Sequence, residues 1–204
     1  MSTTPIATRE IDAVNTLLSI VGELPITTLE GVLNADALLA RRTLQDTLIE
    51  FQNEGWWFNT EDNFDLTPDS LGEITVANSV RNVDIDPRDS FDVDVVLRGQ
   101  KLYDRKNHTY VFNKPLKAKV THALAFEELP QSAKSYIVAW AALRFQTKVL
   151  GVTDMHTALS QDYVRARTTF INEDIRNADR NYLDLSPNSW MGYNSVHRIL
   201  RRGR

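Results

Sequence analysis

The sequence predicts an α+β fold: a four-helix bundle-like domain interrupted by an inserted antiparallel β domain, with an irregular C-terminal arm. Three observations predict it. Apolar residues recur at three- and four-residue spacings in two segments before residue 55 and in two more after residue 130. Between them lie short runs of alternating, aromatic or β-branched residues. Residues 185–204 follow neither period. The predicted boundaries are a discontinuous helical domain over 1–57 and 127–184, a β domain over 58–126, and an arm over 185–204.

The first helix is expected to open at Thr8, a residue type suited to an N-cap, and to carry Ile11, Val14, Leu17, Leu18 and Val21 on one face. Gly22 and Pro25 stop it. A second helix follows Asn34, with Ala37, Ala40, Leu44, Leu48 and Phe51 as its apolar stripe and Arg41, Arg42, Gln45, Asp46 and Glu50 facing water. Gly55 is placed to end it. The runs WWFNTEDNFDL, LGEITV, FDVDVVLRG, KLYDRKNHTYVFN and LKAKVTHALAF read as strands. Pro68, Gly72, Asn78, Pro87, Gly99 and the Lys106–Asn107 pair punctuate them as hairpin turns. Helix returns at Pro130, running through Ala133, Ile137, Trp140, Ala141 and Phe145 to Gly151. The last helix starts at Thr153 and continues through Leu159, Tyr163, Ala166, Phe170 and Ile175 toward Tyr182. Neither helical pair has the apolar surface for a core of its own, so both are expected to pack as one unit.

Composition narrows the function. With 204 residues, 42% hydrophobic and 25% charged, the chain has the make-up of an ordinary globular protein that buries a sizeable core. Zero cysteine excludes disulfides, thiolate nucleophiles and cysteine-ligated metals, and points to synthesis in a reducing interior. A net charge of −4 removes the global positive field of a non-specific nucleic-acid binder. No run approaches the apolar length that spans a bilayer, and Arg9 and Glu10 interrupt any secretory signal, so a soluble, unexported product without a membrane partner is expected.

The charge is unevenly placed. Residues 59–94 carry ten acids and two bases, whereas 95–122 carry seven bases and one acid. Two readings stand side by side: complementary faces through which adjacent copies meet head to tail, or simply solvated faces or cross-strand ion pairs within one sheet. The arm, LSPNSWMGYNSVHRILRRGR, holds four arginines and no acid. Its Trp190, Met191 and Tyr193 are large contact groups of the kind that anchor interfaces.

Catalytic chemistry finds little foothold. The four histidines, at 108, 122, 156 and 197, form no metal-ligand spacing, and no phosphate-binding loop, dinucleotide fingerprint or nucleophile elbow occurs. No metal, cofactor or catalytic residue is therefore predicted. Asp84, Asp86, Asp89, Asp92 and Asp94 admit calcium ligation or a paired-carboxylate glycosidase site, against turn chemistry around Pro87. The tryptophans of GWWF admit a stacking platform for a sugar or base, against a core wedge between layers.

Three longer runs carry a resemblance. EFQNEGWWFNTEDNFDLTPDSLGEITV, VVLRGQKLYDRKNHTYVFN and FEELPQSAKSYIVAWAALRFQTKVLG, together with the opening IDAVNTLLSIVGELPITTLE, resemble the tail tubular protein A family of short-tailed bacteriophages. The likeness covers roughly residues 8–180 in order and spacing. It implies a non-enzymatic adaptor, or gatekeeper, of the virion tail, made in the host cytoplasm. It also implies a dodecameric ring that joins the portal protein to the tail nozzle (tubular protein B), helps attach tail fibres, and contacts DNA passing through. Gly55, Trp56, Trp57 and Phe58, with Arg98, Gly99, Leu102 and Tyr103, carry the likeness most strongly and are expected to be structural. Trp190, Tyr193, Arg198, Arg201 and Arg202 are expected to clamp the portal or a neighbouring subunit. The alternative is a hydrolase of cell-surface polysaccharide using carboxylates of the β insertion.

Overall fold

The computed structural model describes residues 8–31, 33–85, 90, 92–151 and 154–177. Its order is α1 (Glu10–Ile20), α2 (Ala35–Gln52), β1 (Thr60–Leu66), β2 (Val80–Asp84), β3 (Val95–Arg98), β4 (Lys101–Asp104), β5 (Leu116–His122), a single 3-10 turn (Phe126–Glu128), α3 (Gln131–Leu150) and α4 (Asp154–Asn177). Four helices and antiparallel sheets make the chain α+β.

Helix α1 buries Ala13, Val14, Leu17 and Leu18, the three- and four-spaced residues of its sequence. It starts at Arg9 rather than Thr8. Asp12, at the third helical position, accepts the Arg9 backbone N–H at 3.1 Å and the guanidinium at 3.0 Å. The Arg9 hydrogen bond holds the Asp12 carboxyl below its ordinary range. Thr8 is used across the fold instead: Gln131 of α3 accepts its N–H and donates to its hydroxyl.

Asn34 caps α2, accepting the Ala37 N–H at 2.7 Å. The helix buries Ala37, Ala40, Leu44 and Phe51, with Thr43 and Thr47 beside them. The Thr47 hydroxyl is satisfied by the Thr43 carbonyl, so its burial leaves no polar group unpaired. Helix α3 touches α1, α2 and α4, and Gly151 ends it.

Among the described residues of α4, only Phe170 and Asp174 are fully buried. Ile175, expected on the apolar stripe, is exposed, and Ile171 packs on the core in its place. Five residues at 3.6 per turn place Ile175 about 140° from Phe170, against about 100° for Ile171 and about 40° for Asp174.

The last strand is the central one. β5 pairs antiparallel with β1 on one side and β2 on the other, and β3 with β4 forms a separate hairpin. β5 turns Leu116, Ala118 and Val120 inward while Lys117 and Lys119 face out, the period of two expected of a half-buried strand. Gly99 makes the two-residue β3–β4 turn possible: its φ of +64° at the first turn position suits a II′ geometry.

Three predicted strand segments are not strands: the half of KLYDRKNHTYVFN after Lys106–Asn107 makes only isolated bridges, from Thr109 to Asp104 and from Val111 to Glu73, and two others depart as well. Trp56–Asn59 is a turn, closed by the Asn59 side chain, and Glu73–Val76 makes isolated bridges from Glu73 to Val111 and from Thr75 to Lys101. Apolar side chains form two clusters. One joins the helices with Trp56, Phe126 and Leu129, and the other joins Leu66, Ile74, Val83, Leu102, Phe112, Leu116 and Val120 of the β region.

Candidate functional site at the helix-to-strand junction

The GWWFNT segment leaves α2 and is gathered around one residue of α4. Phe170, fully buried, lies 4.7 Å from the Trp56 ring, 5.0 Å from Phe51, 5.4 Å from Trp57 and 5.7 Å from Tyr136, centre to centre. These separations fall in the favourable range for edge-on and offset ring pairs. Trp56 is buried and its indole N–H donates to the Phe51 carbonyl at 2.7 Å, so the polar end of the ring is satisfied. Trp57 and Phe58 are half-buried, with ring centres 5.1 Å apart. Burial, with the Tyr163 hydroxyl 3.3 Å away, pushes the Tyr136 phenol above its ordinary value.

Gly55 fits a crowded, left-handed position. Its φ is +72°, and a Cβ there would meet the Thr60 and Thr121 hydroxyls at 3.3 Å. The other residues that carry the sequence likeness sit in the β3–β4 hairpin. Arg98 places its guanidinium 3.5 Å over the Tyr103 ring, Leu102 is fully buried, and Tyr103 also meets Tyr110 at 4.8 Å. The two groups of motif residues thus serve the two apolar clusters separately. Trp190, Tyr193, Arg198, Arg201 and Arg202 lie outside the described residues.

The acidic and basic halves of the β region meet each other. Lys101 reaches Glu73 at 2.5 Å, Arg105 reaches Asp94 at 2.7 Å, and Lys114 reaches Asp92 at 3.1 Å. Lys117 and Lys119 of β5 face Asp65 and Asp62 of β1 at 3.4 and 3.6 Å. Ion pairing inside the β region accounts for these ten residues, and it is cross-strand, between β5 and β1, for Lys117–Asp65 and Lys119–Asp62. Hydrogen bonding to Glu73 raises the Lys101 pKa, and hydrogen bonding to Lys114 lowers that of Asp92. Such exposed pairs add little stability, but they cancel the local field.

Asp104 is the buried carboxylate of this region, 2% exposed. Burial alone would raise its pKa. The Asn107 side chain at 2.6 Å and the backbone N–H groups of Asp94, Lys106 and Asn107 outweigh that and lower it. The sequence carries a signal for this in the Asp-x-x-Asn spacing of a side-chain-closed turn. Neither Asp92 nor Asp104 has the raised pKa that a glycosidase general acid needs. Among the described residues no three His, Asp or Glu side chains converge as a metal site, and no helix is long and apolar enough to cross a membrane.

Comparison with known proteins places this architecture. The family described as Tail tubular protein matches residues 11–180, from the first turn of α1 past the end of α4. The chain belongs to the tail tubular protein family. It is similar to Tail tubular protein A of Klebsiella phage KP34, with 28% identity over 170 residues that cover 83% of this chain and 88% of the relative. A tail tubular protein is a structural component of the bacteriophage tail, and that is where this one resides. The matched span takes in both apolar clusters and the junction between them, and it stops before residues 185–204.

Proposed function

We propose that this tail tubular protein is a ring-forming adaptor, dodecameric in the virion, that joins the portal to the tail nozzle, contributes to tail-fibre attachment and lines part of the DNA ejection channel. The family match across 11–180 carries the reading. In it, 1–57 and 127–184 form one helical bundle, 58–126 is inserted into that bundle, and 185–204 is the docking arm. The work is binding, not catalysis.

Several observations support this assignment. Helix α4 leaves Val164 and Ile175 exposed on one face, eleven residues and about 20° apart, which no described element covers, and a neighbouring subunit would cover it. A channel for DNA works best without fixed positive charge, and the Lys–Asp and Lys–Glu pairing of the β region removes it there. Acids for the channel wall then come from the helices, exposed Asp46 among them. Trp190, Tyr193, Arg198, Arg201 and Arg202 supply the aromatic and guanidinium groups typical of interface anchors.

The test is to mix the full chain, and the chain lacking residues 186–204, with the portal protein of the same phage and to measure mass by size exclusion with light scattering. The full chain should form a ring-sized complex. The shortened chain should stay folded by circular dichroism and fail to join. Equal docking by both would remove the arm's role, and no complex with either would remove the adaptor reading.

A further inference from the structure

The chain crosses between helices and strands twice, outward through residues 53–59 and back through 123–125. The two apolar clusters on either side share no residue, and helices pack on helices while strands pack on strands. Two segments joined only by a pair of short crossings would be expected to move against each other. Something other than a common core has to set their relation.

Two uncharged amide side chains, each 2% exposed, stand at the crossings. Gln52, the last residue of α2, donates its Nε2 to the Leu124 carbonyl at 3.0 Å and accepts the Leu124 N–H at 2.7 Å on Oε1. Asn59 donates Nδ2 to the Gln52 carbonyl at 3.0 Å and to the His122 carbonyl at 2.8 Å, and accepts the Trp56 N–H at 2.7 Å on Oδ1. The Asn59 carbonyl accepts the His122 N–H at 2.7 Å. The outward crossing, the return crossing and the end of α2 are thereby bonded to one another.

We infer that Gln52 and Asn59 form an orientation latch, which locks the β region to the helices as one body. Buried amides lose heavily when left unpaired, and these are satisfied together in one relative placement only. Rocking the β region would break the Gln52–Leu124 and Asn59–His122 bonds at once. Gln52 holds Leu124, whose side chain packs on the helical cluster, and Asn59 carries the connection on to His122 at the end of β5, so the latch acts through polar bonds at the crossings. The inference concerns the isolated chain and does not depend on the ring.

The absence of cysteine allows clean labelling. Spin labels at Asp46→Cys on α2 and Leu71→Cys on the β region, both at exposed positions, report the distance between the two parts by pulsed electron resonance. The otherwise unchanged chain should give one narrow distribution. Gln52→Met, which keeps the side-chain length and removes the bonds, should broaden it while near-ultraviolet dichroism stays native, and Asn59→Ala should broaden it further. Amide exchange at Leu124 and His122 should speed up about ten-fold, the consequence of losing one net hydrogen bond. Leu44→Ala, a core truncation, should lower stability and leave the distribution narrow. A narrow distribution in folded Gln52→Met overturns the latch. So does equal broadening in Leu44→Ala, or collapse of both cores in Gln52→Met, since the residue would then belong to the packing.

Discussion

Phe170→Ala should be the most damaging single truncation in α4. The side chain is fully buried and is the helix's one completely buried apolar residue among those described. It meets Trp56, Phe51, Trp57 and Tyr136 at 4.7 to 5.7 Å. Removing a buried phenylalanine ring costs about 3–5 kcal/mol, and the upper end applies where rigid aromatic neighbours cannot collapse into the space. For a chain of this size that corresponds to a fall in Tm of roughly 10–15 °C. Phe170→Leu keeps most of the apolar area and loses the ring pairs, so it should cost about 1–2 kcal/mol. Urea unfolding followed by tryptophan fluorescence measures both, because Trp56 and Trp57 lie against the altered site. Amide exchange should rise across α4 more than across α2, since the ring fastens that helix to the junction. A loss below about 1 kcal/mol for the alanine variant, or uniform exchange across both helices, would refute the idea that α4 is seated through this ring.

Gly55→Ala and Gly99→Ala share the strain of a positive φ but differ in space, because a Cβ at Gly99 meets nothing while one at Gly55 meets two hydroxyls at 3.3 Å. Gly99→Ala should cost about 1 kcal/mol in urea unfolding and Gly55→Ala about 1 kcal/mol more; equal costs would show that Thr60 and Thr121 yield freely. Asp104 has a depressed folded pKa, so its contribution is present above the ordinary carboxylate value of about 3.9 and is lost as pH falls through and below it. Asp104→Asn should therefore lower stability at pH 7 by about 1–3 kcal/mol and flatten the acid limb of the stability curve, and an unchanged acid limb would assign that limb to other groups. The Thr60 hydroxyl is buried without a protein hydrogen-bond partner, so Thr60→Val should be neutral or stabilising in thermal unfolding, and a clear loss would reveal a partner.

Much of the fold was legible because its signals are local. Asn34 ahead of a three- and four-spaced stripe gives α2, the alternation of Leu116, Ala118 and Val120 gives β5, and Gly99 between two short β-type runs gives the hairpin. The errors share a cause in distant contacts. Aromatic residues made Trp56–Asn59 look extended, but the segment turns because Asn59 reaches back to Trp56 and Gln52 and across to His122. Thr8 looked like a cap because its type suits one, yet Gln131 of α3 engages it and Asp12 favours Arg9. At the junction, Gly55 and the tryptophans stand out by composition. Gln52, Asn59 and Asp174 do not, since a buried polar residue reads like a surface one until its partners are known.

The charge pattern carries the last consequence. In sequence the β region looks polarised, but Lys101, Arg105, Lys114, Lys117 and Lys119 each rest on an acid of the preceding half. A pair separated by about 3 Å presents almost no field one Debye length away, about 8 Å at physiological salt. Long-range attraction between copies through these faces is therefore weak, and on the proposed reading the four arginines of residues 185–204 are the concentrated charge that docking would use. Two salt responses should then separate. The midpoint of thermal unfolding should move little between 0.1 and 1 M salt, because exposed pairs contribute little at either strength and the Debye length shortens only from about 10 to 3 Å. Association of the full chain with the portal should weaken steeply over that range, and the chain lacking 186–204 should show no such dependence. Salt-insensitive association of the full chain would mean that apolar contact, through Trp190 and Tyr193 or the α4 face, carries docking without help from the arginines.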